Sequence, residues 1–236
     1  MTKVTGLKQS MNQHRVYEDD DSKESSTSPI HPTTKVMGFH GHCRKNIISI
    51  DPGIKIPFMG YSNIGIYKLG SNLDKIVKHK LTKIDNISRN SDMTKIKKQK
   101  LKQKWYDKIK NKITDFHWKT INLLTDKFHH ILIGNFSTKK CGENKTVHKM
   151  TKRIGNQMNL FKFKQRLKYK CTTRNVKYSE VNEAFTSKCC NRCGNYKKDL
   201  TSTRKYNCSN CGLKIHRDIN GAINIFINAI KNLSHV

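Results

Sequence analysis

Two pairs of closely spaced cysteines near the end of the chain constrain its folding more than any other feature. Cys190 and Cys193 form one Cys-x2-Cys pair, Cys208 and Cys211 form a second, and 14 residues separate the pairs. Four thiolates at this spacing are typical of a closed tetrahedral Zn²⁺ site, which has a structural role. The alternatives are two disulfides or four buried thiols.

A glycine follows the second cysteine of each pair. Gly194 and Gly212 can adopt the positive φ of a tight turn that aims backbone N–H groups at sulfur. We therefore predict a compact zinc ribbon made of two hairpins. Cys189 gives the wrong spacing to replace Cys190. The remaining cysteines are expected to be plain thiols: Cys43, Cys141 and Cys171.

The charge balance indicates a polyanionic partner and argues against a free-standing metabolic enzyme. The 236 residues include 47 Lys and Arg against 17 Asp and Glu, a formal net charge of +30. Most of the basic residues are Lys, which binds phosphate as a point charge, so contact with a nucleic-acid backbone is favoured over base readout. Codon bias in an AT-rich genome is the alternative explanation of the lysine excess.

The sequence also indicates where the protein resides. It contains no run of about 18 to 20 apolar residues, which a membrane span requires, and its N-terminus lacks the apolar region of a signal peptide. The cysteines are clustered, unlike a disulfide framework. We expect a soluble intracellular protein in a reducing compartment, the cytoplasm or nucleus of a host, without a membrane partner.

Hydrophobic patterning predicts a mixed α/β chain behind a disordered tail over residues 1–42. The apolar runs indicate strands at 46–51, 56–61, 64–69, 131–133 and 176–183. Helical periodicity covers 72–128, 151–171 and 218–233. In the second of these helical regions the expected buried positions are Ile154, Met158, Phe161 and Leu167.

The helical region 72–128 has one apolar face and a dense set of lysines. The apolar face contains Leu101, Trp105, Ile109, Ile113 and Phe116. A solvated helix face would explain the lysines, but their density favours contact with nucleic acid. The predicted contact residues are Lys95, Lys97, Lys98, Lys100, Lys102, Lys104 and Lys108.

Three acidic residues follow or begin core elements. Asp51 ends an apolar strand, Glu183 follows the last predicted strand, and Asp218 begins the final helix. Each has an ordinary explanation: an Asp-Pro-Gly turn, a surface glutamate and a helix N-cap, respectively. Together they match the carboxylates that hold two Mg²⁺ ions in a phosphodiesterase.

Three segments in order, IISIDPGIKIPFMGY, EAFTSKCCNRCG and YNCSNCGLKIHRDINGAINI, resemble the C-terminal half of TnpB/OrfB transposon proteins. The eukaryotic and giant-virus Fanzor group looks most similar. The resemblance covers about residues 45–230. It implies an α/β fold of the RNase H-like (RuvC-type) class with an inserted four-cysteine zinc ribbon. The implied domains are a nuclease core with basic helices over 43–185, a ribbon over 186–216 and a final core helix over 217–236.

The resemblance also implies an activity and site roles. Studied members are RNA-guided DNA endonucleases, traditionally called transposases and associated with transposition and DNA recombination. The implied cofactors are structural Zn²⁺ and catalytic Mg²⁺, and the implied partners are DNA and guide RNA. Asp51 matches the first catalytic acid and Asp218 the third, within Asp-x-Asn.

The second catalytic acid departs from the bacterial pattern. Bacterial members have a glutamate where this chain has Gly134, whereas eukaryotic-type members resemble this chain in carrying an alternative glutamate before Thr-Ser-Lys. Glu183 fits that position, with Glu180 as the substitute.

The short N-terminus leaves three hypotheses. Only 50 residues precede Asp51, so the chain is either a truncated copy or relies on a partner for target recognition. The leading hypothesis is a Mg²⁺-dependent, TnpB-like DNA endonuclease. The alternatives are a catalytically idle zinc-ribbon remnant that binds nucleic acid, and an RNA-binding protein that does not cut. Catalytic carboxylates within roughly 4 to 8 Å of one another would favour the nuclease.

Overall fold

A computed structural model describes residues 46–135, 147–182, 186–198 and 203–233. The tail predicted over 1–42 lies outside these ranges, as do Cys43, Cys141 and Glu183. The strands are β1 (Ile47–Pro52), β2 (Phe58–Ser62), β3 (Gly65–Leu69), β4 (His130–Gly134), β5 (Lys177–Val181), β6 (Lys205–Asn207) and β7 (Lys214–His216). The helices are α1 (Leu73–Arg89), α2 (Lys95–Lys127), α3 (Lys149–Met158), α4 (Leu160–Thr173) and α5 (Arg217–Leu233).

Five strands form one mixed sheet in the order β3-β2-β1-β4-β5, while β6 and β7 form a separate antiparallel pair. The predicted meander is confirmed, since β2 pairs antiparallel with both β1 and β3. β4 pairs parallel with β1 and with β5. Parallel neighbours need a crossover connection, which the helices between these strands provide. The mixed α/β prediction is therefore confirmed.

Alternation along β1 sends its side chains to two different layers. Ile48 and Ile50 are fully buried in the main core with residues of the helices α1 to α4. Ser49 faces the other way and donates a hydrogen bond to the carbonyl of Ala222 in α5 at 2.7 Å. Asp51 is two residues further along the strand, so its side chain lies on the same face as that of Ser49 and points toward α5.

The final helix covers this second face of the sheet, as its amphipathic pattern predicts. Ile225 and Ala229 of α5 pack against Leu132 of β4 and Val181 of β5 in a small apolar cluster. The edge-on contact between Tyr61 and Phe226 extends this packing to β2, with ring centroids 5.4 Å apart. The sheet is thus covered by helices on both faces.

The region 72–128 differs from the expected pattern because it is two helices rather than one. α1 ends at Arg89 and α2 begins after Thr94, whose side chain accepts a hydrogen bond from the backbone of Lys97. The intervening Asn-Ser-Asp-Met-Thr segment is rich in residues that bond to nearby backbone, which explains the break.

The second basic helix is also divided, and one predicted core residue there is wrong. Asn159 adopts a left-handed conformation with φ 47° between α3 and α4. This break changes the helical phase, so Phe161 is 71% exposed and Phe163 is fully buried instead. Ile154, Met158 and Leu167 are buried as predicted.

No helix within the described ranges combines the length and the apolar character needed to cross a lipid bilayer.

Candidate metal centre and acidic cleft

The four predicted cysteines converge. The sulfurs of Cys190, Cys193, Cys208 and Cys211 all lie within 4.8 Å of one another. Two of the Sγ–Sγ distances, Cys190 to Cys211 and Cys193 to Cys208, are 3.6 Å. Zn–S bonds of about 2.3 Å in a tetrahedron place sulfurs about 3.8 Å apart. The cluster therefore fits a metal ion such as zinc.

Both cysteine pairs lie in turns with the same hydrogen-bond pattern. The amide of Gly194 donates to the carbonyl of Cys190 at 2.9 Å, and that of Gly212 donates to Cys208 at 3.1 Å. The two glycines have φ of 73° and 70°, as their place in the sequence predicts. A Cβ at either position would meet nothing within 4 Å, so glycine is favoured by its backbone conformation rather than by space.

Backbone amides favour the thiolate form of Cys208, the first cysteine of the second turn. The amides of Cys211 and Asn210 lower the pKa of the Cys208 thiol to about 6. Hydrogen bonds to a charged group stabilise that form, and the thiolate is the form that binds metal.

The other described cysteines lie outside the cluster. Cys189 pairs its backbone with Tyr196 in an isolated bridge, consistent with its wrong spacing. Cys171 is buried in the main core, and burial raises the pKa of its thiol to about 11. An inert thiol is expected at such a position.

Two asparagines of α5 form hydrogen bonds with the first cysteine turn. Asn220 is fully buried, donates to the carbonyl of Cys189 at 2.7 Å and accepts from the amide of Asn191 at 3.0 Å. Asn224, one turn later, donates to the carbonyls of Thr186 and Cys189 at 2.7 and 2.8 Å. Because buried backbone groups need hydrogen-bond partners, these bonds determine the position of the cysteine turn relative to α5.

Asp51 lies at the end of the central strand, close against α5. A Cβ built on Gly221 would lie 2.5 Å from Oδ2 of Asp51. No side-chain atom fits at that distance, so the carboxylate can approach α5 only because residue 221 is glycine. Sequence reasoning missed this role, although the glycine within Asp-Ile-Asn-Gly-Ala was visible.

Asp218 lies in the first turn of α5 and forms an ion pair with the ribbon. Nη1 of Arg204 donates to Oδ2 of Asp218 at 2.6 Å, and Nε of Arg217 lies 3.8 Å from Oδ1. The backbone amide of Asp218 donates to Nδ1 of His216 at 3.3 Å. Asp218 is a helical residue rather than the N-cap, because α5 already begins at Arg217.

Asp51 and Asp218 line one cleft of about 460 Å³, although they are far apart in the sequence. Its lining also includes basic groups that balance the carboxylates, among them Lys55, Arg204 and Arg217. Within the described ranges no third carboxylate lines this cleft. Thr186 and Ser187, which come three and four residues after Glu183 in the sequence, line it as well.

The two candidate second acids differ in what the structure says of them. Glu183 lies outside the described residues. Glu180 accepts hydrogen bonds from Nζ of Lys164 at 3.0 Å and from the hydroxyl of Tyr178 at 2.8 Å. It is paired in register with Ile133, whose side chain lies in the main core, so Glu180 faces away from α5 and the cleft.

The predicted contact lysines lie along the first half of α2. Lys98 and Lys102 are half-buried, and the ammonium of Lys108 lies 4.5 Å from the centroid of the Trp105 ring. The other predicted contacts are exposed to solvent: Lys95, Lys97, Lys100 and Lys104.

A family model described as Cas12f1-like, TNB domain matches residues 161–225. This span runs from α4 through β5 and the cysteine turns into α5, so it includes the cluster and Asp218.

Proteins of large DNA viruses are similar to most of the chain. TnpB-like proteins L79 and L770 of Acanthamoeba polyphaga mimivirus are 30% identical over 77% of this chain and 37% of their own length. A625R of Paramecium bursaria Chlorella virus 1, which is named as a transposase, is 29% identical over 84% of this chain and 46% of its own length. The chain is TnpB/OrfB-like, as its motifs predict. It spans less than half the length of these relatives.

The chain also aligns with parts of two solved structures. The chain aligns with Cas12f1 from a complex with sgRNA and target DNA at a TM-score of 0.49 and 20% identity, over 76% of this chain and 49% of that one. It aligns with an RNA-guided endonuclease, Cas_phi3, at a TM-score of 0.49 and 12% identity, over 78% of this chain and 45% of that one.

Proposed function

We propose that this chain is the nuclease portion of a TnpB-like protein, with an RNase H-like (RuvC-type) core that hydrolyses DNA phosphodiesters with Mg²⁺. The observation that carries the proposal is the placement of Asp51 and Asp218 in one cleft. The order of the mixed sheet, with Asp51 on its central strand and α5 across that face, supports an RNase H-type core.

Asp51, Asp218 and Glu183 are the residues that would hold Mg²⁺. Carboxylate oxygens are the ligands that Mg²⁺ prefers in proteins. A pair of such ions, when bound, activates a water molecule and stabilises the leaving oxygen of a phosphodiester. We assign Glu183 as the third ligand because Thr186, three residues later in the sequence, lines the cleft, whereas Glu180 bonds to Lys164 on the opposite side of the sheet.

The remaining residues of the cleft have complementary roles in this proposal. Arg204 and Arg217 balance the charge of Asp218, which reduces its repulsion of Asp51 across the cleft before a cation binds. With Lys55 they also give the cleft a basic rim that attracts a phosphate backbone. The ribbon, residues 186–216 with a Zn²⁺ ion, would supply Arg204 and the contact to α5.

The nucleic-acid substrate is DNA in this proposal, with guide RNA as a partner of the whole protein. The exposed lysines of α2 would contact the backbone of either. The chain would then be an inserted-ribbon nuclease: a core over 43–185, the ribbon over 186–216 and a returning helix over 217–236.

Cleavage of single-stranded DNA with Mg²⁺ tests this function. Asp51→Ala and Asp218→Ala should abolish nicking while binding remains. Glu183→Gln and Glu180→Gln are a matched pair, since both remove one charge three residues apart. We expect Glu183→Gln to abolish nicking and Glu180→Gln to retain it, because Glu180 bonds to Lys164 away from the cleft.

Two observations favour the catalytically idle alternative. β4 ends at Gly134, where bacterial members carry the second acid, and the carboxylate of Asp218 is already paired with Arg204. Wild-type protein that binds single-stranded DNA and never cuts it with Mg²⁺ or Mn²⁺ would establish this alternative and refute the nuclease.

A further inference from the structure

A second cavity lies in the helical layer, between α2 and the junction of α3 with α4. It has a volume of about 370 Å³ and shares no lining residue with the acidic cleft. None of the lysines predicted to contact nucleic acid lines it. We call it the elbow groove, after the bend at Asn159. Its size is that of a pocket for one small ligand unit.

The lining of the elbow groove is polar and basic. Amide and hydroxyl side chains make up much of the wall: Gln103, Tyr106, Thr114, Asn156, Gln157 and Asn159. Three cations, Lys110, Lys162 and Arg166, face one acid, Asp107, which already accepts a hydrogen bond from Gln103 at 3.0 Å. This chemistry suits an anion with hydrogen-bonding groups and does not suit an apolar ligand.

Arg166 is held in place before any ligand binds. Nδ1 of His117 lies 3.2 Å from Nη1 of Arg166, and Nε2 of His117 lies 3.0 Å from the carbonyl of Met158. Both contacts are satisfied when the neutral ring carries its proton on Nε2, since Nδ1 then accepts from the guanidinium. The guanidinium also lies over the Trp118 ring at 5.5 Å. A fixed guanidinium loses little entropy when it binds phosphate.

The start of α4 adds to the positive potential of the groove. Asn159 precedes this 14-residue helix, and its side chain accepts from the amide of Lys162 at 3.4 Å. The first turn of a helix carries a partial positive charge, which favours an anion there. It acts here together with the three cations.

We propose that the elbow groove binds a phosphodiester unit of a single-stranded nucleic acid, separately from the acidic cleft. Lys110 and Lys162 contact the phosphate oxygens, and Arg166 binds them through its remaining N–H groups. A cavity of about 370 Å³ holds one phosphodiester unit, and a flexible single strand can bend to insert such a unit where a stiff duplex cannot. The proposal rests on the proposed function only in that the partner is nucleic acid.

A matched pair of double variants tests the groove. Lys110→Gln with Lys162→Gln removes two groove charges, while Lys112→Gln with Lys168→Gln removes two exposed charges from the same helices outside it. Affinity for a 12-nucleotide single strand is measured by fluorescence anisotropy without added Mg²⁺ and without chelator, so that the ribbon keeps its metal, with DNA and RNA as separate arms. The groove variant should bind about tenfold more weakly and the control less than threefold.

Salt dependence gives a second measure of the same contacts. Each lost phosphate contact should reduce the slope of log K against log salt by about 0.7, so the groove variant should lose about 1.4. If both double variants lose affinity equally, the charge acts diffusely and the groove is not a site. If poly-glutamate of equal length competes as well as the oligonucleotide, the ligand is an acidic peptide and the proposal is overturned.

Trp118 can report on the groove through Arg166, which lies over its ring. The chain has two tryptophans, so Trp105→Phe leaves Trp118 as the only one, and excitation at about 295 nm selects it over tyrosine. We expect oligonucleotide to change its emission, and the added Lys110→Gln and Lys162→Gln changes to remove the response. An unchanged emission with bound oligonucleotide would place the strand elsewhere. Because these measurements need no Mg²⁺, loss of cleavage would refute the nuclease proposal and leave the groove untouched.

Discussion

At the scale of single residues, three glycines are required by the two candidate sites, one because it has no side chain and two because of their backbone conformation. Gly221 lacks the side chain that would collide with Asp51, whereas Gly194 and Gly212 have the positive φ of the cysteine turns. The first requirement arises from a contact with a distant strand, and the other two arise within one local turn.

Gly221→Ala should inactivate the cleft without unfolding the protein. Its Cβ would lie 2.5 Å from Oδ2 of Asp51, and that carboxylate can rotate away more easily than the helix can move. Helix propensity alone favours the alanine by about 1 kcal/mol. We expect a Tm close to wild type with Mg²⁺-dependent cleavage reduced more than tenfold. Asn228→Ala, on the same helix, is the control, and cleavage at the wild-type rate by Gly221→Ala would contradict this prediction.

Cys190 and its neighbour offer a matched test of the metal ligands. Cys190→Ser should lose bound zinc, because its sulfur is one of the four within 4.8 Å. Cys189→Ser should keep it, since Cys189 contributes its backbone carbonyl to Asn220. Zinc content per chain after purification measures both, and equal zinc loss from the two variants would show that the ligand set is wrong.

At the scale of elements, α5 is the helix on which both candidate sites depend. It carries Asp218, which lines the cleft, and Gly221, which lies against Asp51. It also carries Asn220 and Asn224, which bond to the first cysteine turn. Residues three or four apart share a helix face, so one short segment serves the sheet and the ribbon together.

Asn220→Ala should loosen the ribbon. The change leaves the amide of Asn191 without its acceptor, and an unsatisfied buried group costs about 1 to 3 kcal/mol. We expect that loss in the free energy of unfolding and faster release of zinc to a chromogenic chelator. Asn228→Ala is again the control. Equal rates of zinc release from the two variants would show that the hydrogen bonds of Asn220 do not hold the ribbon in place.

α2 contains a buried histidine that makes stability depend on pH. Burial lowers the pKa of His117 to about 4, below its ordinary value of 6.5. Between these values the unfolded chain binds more protons, so stability falls as pH falls from about 6.5 to 4.

His117→Gln should reduce this pH dependence. The variant should lose about 2 kcal/mol less than wild type between pH 7 and pH 5, measured by urea unfolding at each pH. A residual slope is expected from His130, because burial likewise lowers its pKa to about 4. Equal losses in variant and wild type would show that His117 is not the titrating group.

At the scale of the whole molecule, the ribbon and the sheet have separate cores. The ribbon core consists of Tyr206, Leu213 and Ile215 with three of the cysteines, whereas the main core joins the five-stranded sheet to α1–α4. So small a core cannot stabilise a fold without a metal or disulfides.

Metal removal should therefore unfold the ribbon and leave the rest. Chelation under reducing conditions should release one zinc per chain, while far-UV ellipticity stays within about a tenth of its starting value. Emission from Trp105 and Trp118 on α2 should not change. Cooperative loss of ellipticity and Trp emission would instead show that the ribbon is integral to the core.

Much of the fold followed from local patterns, because strands and turns are determined by near neighbours. The Ile-rich run before Asp51, the meander and the final amphipathic helix are where the sequence predicts them. The prediction of buried residues was wrong where a break in a helix changed the helical phase. Asn159 separates α3 from α4, and the helical period counted across it selects Phe161 when the core contains Phe163.

The sequence by itself determined the cysteine cluster and two acids of the cleft. Cys-x2-Cys spacing and the following glycines set a turn whose geometry involves only adjacent residues, so no distant partner was needed to predict it. Only the tertiary structure decided that Asp51 and Glu180 face opposite sides of the sheet, that Arg204 pairs with Asp218, and that Gly221 admits Asp51. These depend on strand order and on how α5 lies across the sheet, since contacts between residues distant in the chain exist only after the layers have packed.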